Sequence, residues 1–269
     1  KMDGRKVRER SESFRDYYSQ ARMFLNSMSD AEKDHIVGAF SFELAKVGDA
    51  EVRRKALEML SKVDTTLVRR IAEKIGMPAP SGKPARQKGI EKSPAVSQAN
   101  TRMDGIKSRI VAVLACNGVN GADVDLIKSA LAAEGAAAEI ISTNFGTVKG
   151  SDGKSFKIDK GFLITSSVMY DAVYVPGGAR SVDELQSSGD ALHFVAEAFK
   201  HCKPIAAVGE GVGLLSAAGV KGVPLSGQKS GVASDKGVIT AEKASGELAK
   251  RFVQAISRHR FWEREAANK

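Results

Sequence analysis

The chain has 269 residues, 42% of them hydrophobic, a formal net charge of +9 and two cysteines, with a mean hydropathy of −0.21. That length allows two domains, each with its own core, and no window approaches the ~18 uninterrupted apolar residues of a membrane span. Cys116 and Cys202 stand in different predicted elements without CxxC or Cys/His spacing, which excludes a disulfide framework and a zinc site and leaves no metal expected.

The polar start Lys1-Met2-Asp3-Gly4-Arg5-Lys6 has no apolar signal-peptide core, so an intracellular, cytoplasmic location is expected. Residues 1–76 read as about four helices with single apolar faces. Phe14, Tyr17, Ala21, Phe24 and Leu25 recur at helical spacing up to Asn26-Ser27. Ser29-Asp30-Ala31-Glu32 is a capping box, and Ile36, Val37, Phe40, Leu44 and Val47 follow on one face until Gly48. Asp49 and Asp64 are placed to cap two shorter helices, carrying Val52, Ala56, Met59 and Leu60, then Leu67, Val68, Ile71 and Ile75, before Gly76 and Pro78 end the run.

Residues 77–104 change character: Pro78, Pro80, Pro84 and Pro94 lie among Ser, Gly, Lys and Gln, which predicts an extended or mobile linker. The net charge is +3 over residues 1–76, +4 over 77–108 and +2 over 109–269, so the excess is densest around this linker. With no basic helix face and no aromatic-and-basic strand pair, the charge reads as a solubilising surface rather than a nucleic-acid or membrane site.

Residues 105–269 alternate between strand and helix signals. Strands are predicted at 109–115, 137–142, 172–175 and 205–208, helices at 123–134, 191–200 and 248–256, and a hairpin at 146–158 turning at Ser151-Asp152-Gly153. That alternation implies an α/β fold with a mostly parallel sheet covered on both faces.

The strand at 205–208 runs into Gly209-Glu210-Gly211 and then a small-residue helix, the pattern by which α/β proteins hold a nucleophile on a tight strand-to-helix turn. Here the turn carries no Ser or Cys. Cys116 ends the first strand, at the edge where open sheets place ligands, and reads either as a buried structural thiol or as a relocated nucleophile. His35, His193, His201 and His259 have no partners at metal spacing. Phe261 and Trp262, beside Arg258, Arg260 and Arg264, read as a tail that packs on a neighbouring domain or subunit.

Two resemblances rest on these residues. The stretch into Cys116-Asn117-Gly118, the phrase Tyr170 to Gly178 and Ala207 to Leu215 resemble the DJ-1/PfpI superfamily, over most of residues 108–258. That resemblance implies a flavodoxin-like three-layer α/β/α domain related to class I glutamine amidotransferases. Active members place a Cys at the position of Gly209, often a His at that of Glu210, an acidic residue near Asp123 and oxyanion amides at Gly177 and Gly178.

Lys6 to Ser11, Phe14 through Arg22 and above all His35-Ile36-Val37-Gly38-Ala39-Phe40-Ser41-Phe42-Glu43-Leu44-Ala45-Lys46-Val47 resemble the α-helical segment that follows the haem β-barrel in monofunctional catalases. The order of helices, linker and α/β domain is similar to that of the C-terminal portion of large-subunit catalases. It implies a non-catalytic stabilising and assembly module of a homotetrameric parent that disproportionates hydrogen peroxide. Haem and its β-barrel domain would then belong to the parent, with no cofactor in this chain and no catalytic residue in the vestigial elbow. Two other readings stay open: a DJ-1/PfpI-type thiol enzyme using Cys116, and a holdase that binds unfolded proteins on surfaces the barrel would cover.

Overall fold

The computed structural model describes residues 3–225 and 231–266, in two compact units, Lys1–Thr101 and Arg102–Lys269. The first holds α1 (Ser19–Ser27), α2 (Asp30–Ala45), α3 (Ala50–Ser61) and α4 (Thr65–Lys74). Helix starts are closed by side chains: the Ser29/Glu32 capping box on α2, Asp49 accepting from Glu51 N on α3, and Asp64 accepting from Leu67 N on α4. The first helix begins later than the apolar spacing predicts. Asp16 Oδ1 accepts from Ser19 N at 3.1 Å and so fixes the start, leaving Phe14 in the 3-10 turn Glu12–Arg15, exposed. Val37, Leu57, Val68 and Ile71 form the centre of the core. Tyr18 packs against it and Tyr17 is exposed.

The proline-rich stretch after α4 is extended, but main-chain and side-chain hydrogen bonds tie it to the helices up to residue 98. Ala85 N donates to Lys62 O at 2.8 Å, Lys88 N to Ser19 Oγ at 2.9 Å and Ser93 N to Ser27 Oγ at 2.8 Å. Arg22 reaches across with Nε to Val63 O at 2.8 Å, Nη2 to Lys62 O at 2.6 Å and Nη1 to Ala85 O. Glu32, already in the capping box, accepts from Ser97 Oγ and Gln98 N, both at 2.8 Å.

The second unit holds β1 (Ile110–Leu114), α5 (Gly121–Ala133), β2 (Ala137–Ser142), β3 (Thr147–Lys149), β4 (Ser155–Lys157), β5 (Lys160–Gly161) and β6 (Ala172–Val175). After these come α6 (Ala179–Gln186), α7 (Gly189–Lys200), β7 (Ile205–Val208), α8 (Gly211–Ala217), β8 (Val232–Asp235), β9 (Val238–Ala241), α9 (Gly246–Ser257) and α10 (Glu263–Ala266). Among the described residues, seven strands form one sheet in the order β5-β2-β1-β6-β7-β9-β8, parallel except for the β8–β9 pair. The predicted hairpin is the separate antiparallel pair β3–β4.

Alternate residues of the central strands point to opposite faces. Val111 and Val113 meet Ile127 and Leu131 of α5 and Leu248 and Phe252 of α9. Ala112 and Leu114 share the other layer with Leu185 of α6, Val195 of α7 and Leu214 of α8. Strands buried on both faces explain the unbroken apolar runs at 110–114 and 172–175.

The aromatic and basic tail corrects the docking expectation. Phe261 is buried in its own unit's core, its N donates to Cys202 O at 2.9 Å, and its ring fills the space that a side chain at Gly237 would occupy. Arg264 is buried with its guanidinium 4.7 Å from the Phe199 ring centroid.

Arg22→Ala removes three charge-assisted bonds to carbonyls and is expected to destabilise the helical unit by about 1–3 kcal/mol. Hydrogen exchange at Ala85 N should quicken more than at amides inside α4. Equal changes at both would mean that Arg22 supports the helices rather than the strap.

Candidate functional site

The carboxyl ends of the parallel strands gather the elbow residues. β7 is buried along its length and ends in Gly209, whose φ of +53° lies in the left-handed region and whose N donates to Ala241 O at 3.0 Å. A Cβ built there would meet Glu242 O at 3.4 Å and Gly177 Cα at 3.8 Å. Space for a side chain therefore exists; the backbone conformation is what favours glycine. A left-handed residue between a buried strand and a short helix is the geometry that aims a nucleophile, and here it aims none.

Facing the elbow is the turn after β6, where two carboxylates occupy two amides. Asp123, buried at 7% exposure, accepts from Gly177 N at 2.9 Å. Glu210, exposed, accepts from Gly178 N at 2.9 Å. Gly178 has φ +118°, and a Cβ there would lie 2.4 Å from Gly118 O, so the turn closes only with glycine at this position. Asn120, which sequence reasoning missed, joins the two loops. Its N donates to Gly177 O at 2.8 Å while its Oδ1 caps α5 by accepting from Ala122 N and Asp123 N. An Asn three residues before an Asp at a helix start was the signal available.

The electrostatics follow from this arrangement. Burial raises the Asp123 carboxyl above its ordinary value; the Gly177 amide opposes that shift and the Glu210 charge adds to it. The Gly178 amide, together with Glu210's own, holds the Glu210 carboxyl below its ordinary value. Amides of the type that stabilise an oxyanion in acyl-transfer enzymes thus already have anionic acceptors from the chain itself.

Cys116 lies in the layer of Leu114 and Val182, 1% exposed. Its N donates to Ser181 Oγ at 2.8 Å, and its Sγ sits 3.5 Å from both Ser142 Oγ and Thr143 Oγ1. Burial pushes the thiol up, Ser142 and Thr143 pull it back in part, and the Glu184 carboxylate raises it further. A buried, protonated thiol is a poor nucleophile. His35 and His193 are exposed, and His201 pairs with Glu197 at 3.2 Å on the surface of α7. Among the described residues, no three His, Cys, Asp or Glu side chains cluster as metal ligands, and no helix is long and apolar enough to cross a membrane.

Comparison with known proteins agrees over the chain. The family profile of the C-terminal domain found in long catalases matches residues 107–266, and that of the catalase-related immune-responsive family matches residues 11–75. Catalase HPII of Mycobacterium avium is 39% identical over 269 residues, Catalase-2 of Bacillus subtilis 40% over 266 and Catalase-B of Dictyostelium discoideum 34% over 270. Each alignment covers 98% of this chain, while the chain spans only 36–38% of the length of these relatives. The chain belongs to the family of C-terminal domains found in long catalases.

Gly209→Cys should fold, with stability lowered by about 1–3 kcal/mol for a non-glycine residue in the left-handed region. Its new thiol should alkylate no faster than an ordinary exposed cysteine, because the Glu210 charge beside it disfavours the thiolate. Fast alkylation at neutral pH would show that the helix amides outweigh Glu210. Separately, Glu210→Gln should lower the Asp123 pKa, since one raising charge is removed; carboxyl carbon NMR reads this, and an unchanged value would uncouple the pair.

Proposed function

We propose that this chain is a non-catalytic stabilising and assembly module of a long catalase, supporting a peroxide-disproportionating reaction carried by another part of the parent protein. The observation that carries this reading is the self-occupied elbow: Gly209 has no side chain, and the Gly177 and Gly178 amides are bonded to Asp123 and Glu210. Assembly with a haem β-barrel domain, a homotetrameric parent and an intracellular site of action complete the reading. The central strand order β2-β1-β6-β7-β9 supports a flavodoxin-like, DJ-1/PfpI-related ancestry for the second unit.

Haem itself does not fit the phenols of this chain. An axial tyrosinate needs a phenol that ionises readily. Tyr170 instead donates to Glu139 Oε2 at 2.7 Å and is pushed up to about 12 by burial and by that carboxylate. Tyr174 is fully buried and pushed higher still by burial and by the Asp123 charge. Tyr17 is exposed to solvent ahead of α1, without the enclosure that an axial tyrosinate needs.

A second reading has its own observation. In the helical unit, Tyr17, Phe24 and Phe40 are exposed around an apolar groove of about 540 Å³ that Ile36 and Leu67 also line. Such a surface suits the barrel domain of the parent or, in its absence, segments of unfolded proteins. Phe24→Ser should weaken any suppression of client aggregation without altering the melt of the α/β unit.

The deciding experiment incubates the chain with haemin, records the Soret region and assays peroxide consumption, beside the parent catalase with and without residues 1–269. We expect no peroxide turnover from the chain alone, and a lower melting temperature with partial dissociation in the truncated parent. A separate assay for glyoxalase, deglycase or peptidase activity addresses the other reading: turnover there by the chain alone, abolished by Cys116→Ser, would establish a thiol enzyme instead.

A further inference from the structure

The opposite edge of the sheet, at the amino ends of β1, β6 and β7, carries a cluster that the elbow reading does not use. Arg109 precedes β1, Asp171 precedes β6, Lys203 precedes β7, and His259 and Arg260 follow α9. Asp171 is the carboxylate at the centre, and its oxygens are committed. Arg109 Nη1 donates to Oδ1 at 2.8 Å and Ile110 N to Oδ2 at 2.9 Å, with His259 Nε2 4.0 Å from Oδ1. Lys203, 2% exposed, donates Nζ to Tyr170 O at 2.6 Å and to Ser167 O at 2.5 Å, so its charge is held behind the cluster by neutral carbonyls. Arg260 donates Nη1 to His259 O at 3.0 Å, and among the described residues it has no carboxylate within ion-pair distance.

Burial first, then Arg260, lowers Lys203 to about 8; below that pH, with His259 neutral, Arg109, Lys203 and Arg260 against Asp171 leave two uncompensated positive charges in a half-buried place. The side chains of Arg109 and His259 are 28% and 31% exposed, so the edge is open to a ligand. His259, at φ +66°, and Cys202, at φ +58°, are two of the non-glycine residues held in the left-handed region. Backbone outliers of this kind persist where surrounding structure over-determines them. Here they turn Lys203 inward and His259 and Arg260 toward the same carboxylate.

We propose that Arg260, Arg109 and His259 form a binding site for a tetrahedral dianionic oxyanion of the phosphate class. Two negative charges balance the cluster, and a planar guanidinium fork suits two oxygens of such an anion. The groups that face His259 are Arg260, Arg109, Lys203 and Asp171; Arg260 also faces the Cys202 thiol and Arg264. Burial first, then Arg260 and Arg109, push His259 down to about 4. An anion seated among these charges offsets the repulsion and must raise that value.

The test follows the four histidines of the full chain by NMR. Sulfate serves as the probe that stays dianionic throughout the titration, against chloride at matched ionic strength. Sulfate is expected to raise the His259 midpoint by about one unit, which is about tenfold tighter anion binding by the protonated form, while His35, His193 and His201 do not move. At pH 7, below the value to which burial lowers Lys203, inorganic phosphate and glucose 6-phosphate should raise the melting temperature above the chloride control. A response to both identifies a site open to phosphomonoesters, and a response to inorganic phosphate alone identifies a closed one. Arg260→Gln should abolish these effects.

An unchanged His259 midpoint in sulfate, or an equal rise in chloride, overturns the proposal, as does a sulfate shift that survives in Arg260→Gln. The wild-type titration decides the matter even if that variant does not fold.

Discussion

The turn after β6 directs two main-chain amides, those of Gly177 and Gly178, at the place where open α/β sheets hold their ligands. The buried Gly177 donor must find an acceptor, and this chain supplies acceptors for both amides covalently, from the start of α5 and the start of α8. The rest of the carboxyl edge follows from that pairing. Asn120 must bridge to Gly177 O for Asp123 to reach in, Gly178 must lack a side chain to pass Gly118 O, and Gly209 must turn left-handed for Glu210 to face Gly178. An external anion would have to displace a tethered carboxylate that is always at hand, at the high effective concentration of an intramolecular partner. Such an edge holds the fold together at the place where open α/β sheets in general bind ligands.

Much of the architecture was legible because it is written in local chemistry. The Ser29/Glu32 box, Asp49 and Asp64 mark helix starts by what their own side chains bond. Strands buried on both faces announce themselves as apolar runs. Val238–Ala241 is buried on both faces yet escaped, because a threonine interrupts its four-residue run, and the other missed elements lack the apolar signature. Val232–Asp235 is a half-buried edge strand of mixed polarity, and Ala179–Gln186 is a short helix entered from a Gly-Gly turn with no side-chain cap. At the site, the glycines and both carboxylates were visible as residue types. Their pairing was not, because Asp123 meets an amide 54 residues away and Glu210 one 32 residues away.

The proline-rich stretch shows the same limit from the other side. Composition offers almost nothing apolar there to bury, which predicts an extended segment and says nothing about where it lies. Its attachment runs through carbonyls, amides and hydroxyls, above all through Arg22 and Glu32. Burial alone would raise the Glu32 carboxyl, but bonds from Ser29, Ser97 and Gln98 hold it below its ordinary value. A carboxylate depressed in the folded state stabilises at pH above its unfolded value and loses that contribution as pH falls through the folded one. The start of α2 and the anchoring of residues 97–98 therefore share one charge and weaken together in acid.

The two edges of the sheet have opposite electrostatic economies. At the carboxyl edge the acids are satisfied by backbone donors, so the place where the fold usually binds is closed by its own side chains. The amino edge gathers Arg109, Lys203 and Arg260 around a carboxylate whose oxygens are already committed. Burial keeps water from screening these charges fully, and His259 stays neutral first because burial disfavours its charged form and then because a further cation among them would add repulsion. Charge balance thus places the proposed anion site at the amino end of the strands, opposite the edge where Asp123 and Glu210 occupy the turn amides.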